Sequence, residues 1–143
     1  GKMNINEIQD GYVIDHIHAG LSMRIYRYLE LDKLDCSVAI IKNAKSERMG
    51  RKDIIKIDEL IPLNLEIISY IDAGATVNVI KDGKLIDKKH LAVPERVVGV
   101  LKCKNPRCIT QTEQELQHVF VLKDREKGVY SCYYCDTIHK HED

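Results

Sequence analysis

The stretch Thr76-Val77-Asn78-Val79-Ile80-Lys81-Asp82-Gly83-Lys84 decides the first half of the fold. Its β-branched residues predict a strand over residues 76–81. Asp82-Gly83 suits a two-residue type I′ turn, which needs positive φ at both central positions. Residues 84–90 are therefore expected to return as an antiparallel partner. Toward the N-terminus, Leu63, Ile67 and Ile71 recur at steps of four. Pro62 can open that helix and Gly74 can end it. Earlier still, Ile54, Ile55 and Ile57 mark a strand over residues 51–58. Residues 36–42 form another, with the polar residues 43–50 as a loop between the two. Leu21, Ile25, Tyr28 and Leu29 predict an amphipathic helix over about residues 20–30. Ahead of them, Tyr12-Val13-Ile14-Asp15-His16-Ile17 reads as a strand broken by Ala19-Gly20.

The resulting order is β-α-β-β-α-β plus one hairpin strand. That is the split arrangement of a ferredoxin-like domain. Two helices should cover one face of an antiparallel sheet and leave the other to solvent or a partner.

Beyond Pro94, read as a hinge, the pattern changes. Residues 97–101 resume as a strand and lead into Cys103-Lys104-Asn105-Pro106-Arg107-Cys108; Cys132-Tyr133-Tyr134-Cys135 follows 23 residues later. Residues 119–122 and 129–131 supply strands between the pairs. Two short cysteine pairs on turns, separated by a hairpin-sized spacer, describe a zinc ribbon. Cys103, Cys108, Cys132 and Cys135 are the expected ligands of one Zn²⁺. Four thiolates close the shell, so the role is structural. Lys102, Lys104 and Arg107 are near enough in sequence to offset the site's negative charge. His118, His139 and His141 are not needed as ligands. The fold class is α+β: a ferredoxin-like domain over residues 1–95, then a small β-rich, zinc-ribbon-like domain over residues 96–143.

The charge balance, 22 basic against 22 acidic residues, leaves no global field to draw nucleic acid or an acidic membrane. A zinc ribbon can bind nucleic acid, but a neutral chain with a single Phe lacks the basic footprint and stacking aromatics such binding uses. Residues 1–10 lack the apolar core of a secretory signal, and no apolar run approaches membrane-span length. The expected location is the cytoplasm, where Cys36 stays a thiol and packs as a small core residue.

Asp15 and His16 lie mid-strand, and regular alternation puts them on opposite faces. By themselves they suit a hydrogen-bonded carboxylate and a surface imidazole. Arg48, Arg51, Lys52 and Lys56 form one basic run, and Lys81, Lys84, Lys88 and Lys89 another. Each alone suits a solvated face; on adjacent strands they could surround a polyphosphate. No Gly-rich phosphate loop is present, so any nucleotide must be held on a sheet or in a groove. No nucleophile–base pairing or open metal site suggests catalysis.

Several segments, in order, resemble one known family: Val13-Ile14-Asp15-His16-Ile17, Met49-Gly50-Arg51-Lys52-Asp53, Ile55-Lys56-Ile57, Ala75-Thr76-Val77-Asn78, Pro94-Glu95-Arg96, and the spaced cysteines with Asn105-Pro106-Arg107-Cys108-Ile109. Together they resemble the aspartate carbamoyltransferase regulatory chain over nearly the whole length. The resemblance implies a non-catalytic subunit with a nucleotide-binding allosteric domain and a zinc domain that touches the catalytic chains. It implies regulatory-chain homodimers, inhibition by CTP with UTP, and activation by ATP, in control of pyrimidine biosynthesis. Carried over by position, Asp15 binds ribose hydroxyls, His16 lies near phosphate, and Lys56 contacts ribose and base. Lys88 holds the phosphates, while Asn78, Ile80 and Leu85 line the pocket and Ile8 reads the base with neighbouring backbone. His90 stands where some members carry arginine, and Gly83 where some carry an aromatic residue.

Overall fold

The computed structural model describes residues 8–139. His141 and most of the polar start of the chain lie outside them. The chain divides into two compact units, Gly1–Ala92 and Val93–Asp143.

In the first unit the strands are β1 (Gly11–His18), β2 (Val38–Ser46), β3 (Gly50–Ile57), β4 (Thr76–Lys81) and β5 (Lys84–His90). They form one antiparallel sheet in the order β2-β3-β1-β4-β5. The first four strands have the ferredoxin-like order, and β5 adds to the β4 edge through the Asp82-Gly83 turn, where φ is 53° and 75°. Helices α1 (Ser22–Tyr28) and α2 (Leu65–Ile71) accompany the sheet. Ile14, Ile17, Ile55, Ile57 and Val77 of the sheet share a buried core with Ile25 of α1 and Ile68 of α2. Cys36 packs half-buried at its margin. Residues directly opposite in an antiparallel pair share a face, so the helix-side and open faces can be assigned by register.

The local differences from the sequence reading have physical causes. Strand β2 begins at Val38 and runs through Ser46, into the stretch read as a loop, because Ala44, Lys45 and Ser46 pair with β3. Helix α2 starts at Leu65, not at Pro62: the side chain of Asn64 accepts the N–H of Ile67 at 3.2 Å and caps it. The helix stops at Asp72, before Gly74.

The second unit holds β6 (Arg96–Val98), β7 (Val119–Asp124) and β8 (Val129–Cys132) in sequential antiparallel order, with a short helix α3 (Ile109–Thr112) that the sequence reading missed. Strand β6 ends at Val98 rather than running to residue 101, since Gly99 adopts φ 74°. Val97, Leu101, Phe120 and Tyr130 are buried, and the Tyr130 hydroxyl donates to the Pro94 carbonyl. Among the described residues no helix is long and apolar enough to cross a membrane.

Candidate functional site: a polar sheet face and a four-cysteine cluster

The largest departure from strand alternation falls on β1. Ile14 pairs with Ile55 and Ile17 with Asp53, so two β1 residues, Asp15 and His16, stand against one on β3. That is a bulge. It corrects the expectation that Asp15 and His16 lie on opposite faces. Ile14 and Ile17 both enter the helix-side core, and both polar residues turn to the open face. His16 has φ 58°, a left-handed conformation that costs a non-glycine residue roughly 1–3 kcal/mol and persists only where its surroundings enforce it. Its backbone N–H donates to Asp15 Oδ1 at 2.6 Å, and its Nδ1 meets Thr76 Oγ1 at 3.1 Å.

The register assembles the rest of that face. Val13 pairs with Asn78 of β4 and Lys56 of β3. Asn78 pairs with Lys88, and Ile80 with Leu85. Ile8, Val13 and Ile80 form a small buried cluster. Asp15, His16, Lys56, Asn78, Ile80, Leu85, Lys88 and Ile8 are thus gathered on or against one face. Leu85 and Lys88 are exposed, on a strand exposed along its whole length. Lys56 and Asn78 are buried, at 6% and 7% exposure, and Asn78 Oδ1 has no hydrogen-bond partner. A buried acceptor without a donor is costly.

The open face sets several cations around one carboxylate. Lys52 Nζ lies 3.0 Å from Asp15 Oδ1. Burial by itself would raise the Asp15 carboxyl, but the Lys52 and His16 hydrogen bonds and nearby positive charge hold it below the ordinary range. Burial pushes the His16 imidazole down from its ordinary value, against the pull of Asp15; Lys52, Arg48 and Lys88 add to the lowering. Lys52 and Thr76 received no role in the sequence reading. Lys52 was visible only as part of a basic run, and its ion pair with Asp15 follows from the pairing of β1 with β3.

In the second unit the four sulfurs of Cys103, Cys108, Cys132 and Cys135 lie within 4.8 Å of one another. Cys103 and Cys135 are 3.7 Å apart, and Cys108 and Cys132 3.8 Å. A tetrahedral ion with metal–sulfur bonds of about 2.3 Å separates its sulfurs by about 3.8 Å, so the cradle fits a four-thiolate metal. Local backbone builds each half. The Asn105 side chain accepts the Arg107 N–H at 3.0 Å, turning the chain between Cys103 and Cys108. The Cys132 carbonyl accepts the Asp136 N–H at 2.8 Å, closing the second turn.

Sulfur is contacted by neutral donors. Thr110 Oγ1 donates to Cys108 Sγ at 3.1 Å, and Asn105 Nδ2 to Cys135 Sγ at 3.5 Å; Thr137 Oγ1 lies 3.2 Å from Cys135 Sγ. Lys102, Lys104 and Arg107, expected to offset the charge, are exposed. Without metal, burial pushes Cys103 up to about 12 and also raises Cys132, whereas Thr137 first, and Asn105 after it, bring Cys135 down to about 6. His118 accepts the Cys103 N–H on Nδ1 at 2.8 Å, and His139 packs edge-on against Phe120; neither belongs to the sulfur cluster.

Residues 3–92 match the family model described as aspartate carbamoyltransferase regulatory chain, allosteric domain, and residues 95–143 match its metal binding domain. Curated proteins called aspartate carbamoyltransferase regulatory chain are similar over nearly their full length. The one from Clostridium acetobutylicum is 45% identical over 96% of this chain and 94% of its own. That from Clostridium tetani is 45% identical over 96% of each chain, and that from Bifidobacterium longum 41% identical over 94% and 96%. An allosteric sheet domain followed by a metal-binding cysteine domain, neither of them catalytic, therefore places this chain in the family of aspartate carbamoyltransferase regulatory chains.

Proposed function

We propose that this chain senses nucleotides on the open face of its five-stranded sheet and controls the catalytic chains of aspartate carbamoyltransferase. CTP, with UTP, inhibits and ATP activates, which regulates pyrimidine biosynthesis in the cytoplasm. Residues 1–95 sense, residues 96–143 touch the catalytic chain, and regulatory chains pair as homodimers. One structural Zn²⁺ per chain is held by Cys103, Cys108, Cys132 and Cys135; the spacing of the sulfurs and the closed donor set favour that ion.

The observation that carries the nucleotide reading is the buried, unpartnered Asn78 Oδ1 beside Lys88, on the face that also holds Asp15, His16 and Lys56. A carboxylate accepts from a ribose diol, and ammonium groups meet phosphate charge. Lys88, exposed on β5, takes the phosphates. Lys56, buried against Val13, reaches ribose and base. Asn78, Ile80 and Leu85 line the pocket, and Ile8 with its neighbouring backbone reads the base. CTP and ATP share the phosphate contacts, so opposite effects arise from how differently sized bases set the pocket strands. Such an effector works only through unequal affinity for two quaternary states, typically about 1–3 kcal/mol of coupling.

Calorimetric titration of CTP and ATP into the chain and into Lys88→Ala tests this. The variant should bind both at least about tenfold more weakly, the loss of one charge-assisted contact. Equal affinity in variant and parent moves the site elsewhere.

A further inference from the structure

Asp72 received no role in the sequence reading. It follows α2, and its side chain is 4% exposed. Its carboxylate accepts the backbone N–H of His18 at 2.7 Å and that of Gly74 at 3.0 Å, and both oxygens lie 3.0 Å from His18 Nδ1. The His18 ring is otherwise open to solvent. Gly74 leaves the room this needs: a Cβ there would stand 3.2 Å from His18 Cε1 and 3.3 Å from Asp72 Oδ1.

The clasp sits where β1 loses a neighbour. Strand β1 pairs with β4 only as far as Asp15 and Thr76. Beyond that point it continues on β3 alone, through Ile17 and His18. The His18 N–H, past the end of the β1–β4 ladder, is received by Asp72 instead of a strand carbonyl. Between the last ladder pair and this anchor lies His16, in its left-handed conformation. If β1 resumed regular alternation, His16 would turn toward the helices and Ile17 would leave the core.

We propose that Asp72, together with His18, is a positioning element of the effector site: by tying the end of β1 to the turn before β4, it holds the bulge that carries His16 onto the open face beside Asp15. The proposal rests on reading that face as the nucleotide site. Asp72 touches no ligand itself. It acts through the backbone of His18, so an uncharged acceptor at position 72 should restore part of its effect.

The test compares the metal-loaded full-length chain with Asp72→Ala, Asp72→Asn, His18→Ala and, as the site control, Lys88→Ala. CTP affinity is measured at a temperature where all are folded, and amide hydrogen exchange is followed at residues 16–18. Asp72→Ala should weaken CTP about tenfold and expose the His18 amide to exchange, while the Ile55 and Val77 amides stay protected. Asp72→Asn, which keeps an acceptor for the His18 N–H, should lie between it and the parent. His18→Ala, which keeps the backbone bond, should have the smallest effect. If Lys88→Ala weakens CTP and Asp72→Ala does not, the positioning role is overturned and the site stands. If the parent chain shows no Lys88-dependent CTP binding, the reading of the face falls and this proposal falls with it.

Discussion

Ser22 Oγ donates to Asp53 Oδ2 at 2.6 Å, joining the first residue of α1 to a β3 side chain with no solvent exposure. The same oxygen accepts the N–H groups of Gly20 and Ser22, and Oδ1 accepts that of Asn43. One carboxylate thus fixes both the turn out of β1 and the irregular point of β2. Asp53→Ala strands several donors, each costing roughly 1–3 kcal/mol when buried. The variant should lose about 3 kcal/mol of stability in urea unfolding.

The same group predicts an acid response. Burial would raise the Asp53 carboxyl, but the bonds from Ser22, Asn43 and Gly20 outweigh it and hold it below its ordinary 3.8. The unfolded chain therefore binds this proton first. The stabilisation is fully present above about pH 4 and is lost as pH falls through the folded value. Acid unfolding of Asp53→Asn, followed by circular dichroism, should show a shallower decline below pH 4 than the parent.

His16 predicts a nucleotide response to pH. In the free chain its imidazole should titrate below 6.5, chiefly because of burial, as read by proton NMR. A bound triphosphate favours the charged ring and raises that value. CTP affinity should then increase as pH falls from 7.5 toward 6, and this increment should vanish in His16→Gln. An increment unchanged in the variant assigns the dependence to another group.

Asp15 is tested by its proposed ribose contact. A hydrogen bond to a charged group contributes about 1.5–3 kcal/mol. The parent should prefer CTP over its 2′,3′-dideoxy analogue about tenfold or more, and Asp15→Ala should bind the two alike. A preference that survives the substitution removes Asp15 from the ribose.

For the cysteine cluster, Cys132→Ser should abolish amide protection from about residue 97 onward and leave residues 8–92 protected, because metal binding supplies most of the folding free energy of so small a unit. Thr110→Val keeps the shape but removes the hydroxyl that donates to Cys108 Sγ. Outer contacts of this kind typically change metal affinity by about 10–100-fold, so chelator competition should show weaker retention with the fold unchanged.

Much of the fold could be read from local chemistry. Asp82-Gly83 declares its turn because few residue pairs accept positive φ at both positions. The cysteine pairs declare their cradle because thiolates at such spacings on two turns converge on one ion. Bulges are another matter. His16 and Asn43 both adopt positive φ without being glycine; both residue types are enriched there, yet only a small fraction of them adopt it, so identity alone does not place a bulge. Pro62 points to an earlier helix start than the one the Asn64 cap sets.

The sequence by itself determined the order of the strands and of the two helices on the sheet, the family, and the four sulfurs, since each depends on residue types at short, fixed separations. Tertiary structure decided which face Asp15 and His16 occupy, that Lys52 joins them, and that Asp53 and Asp72 hold the irregular ends of the strands. Those outcomes depend on how many residues of one strand stand against the next, a matter of register between segments tens of residues apart. A single extra residue in that register turns every following side chain to the other face.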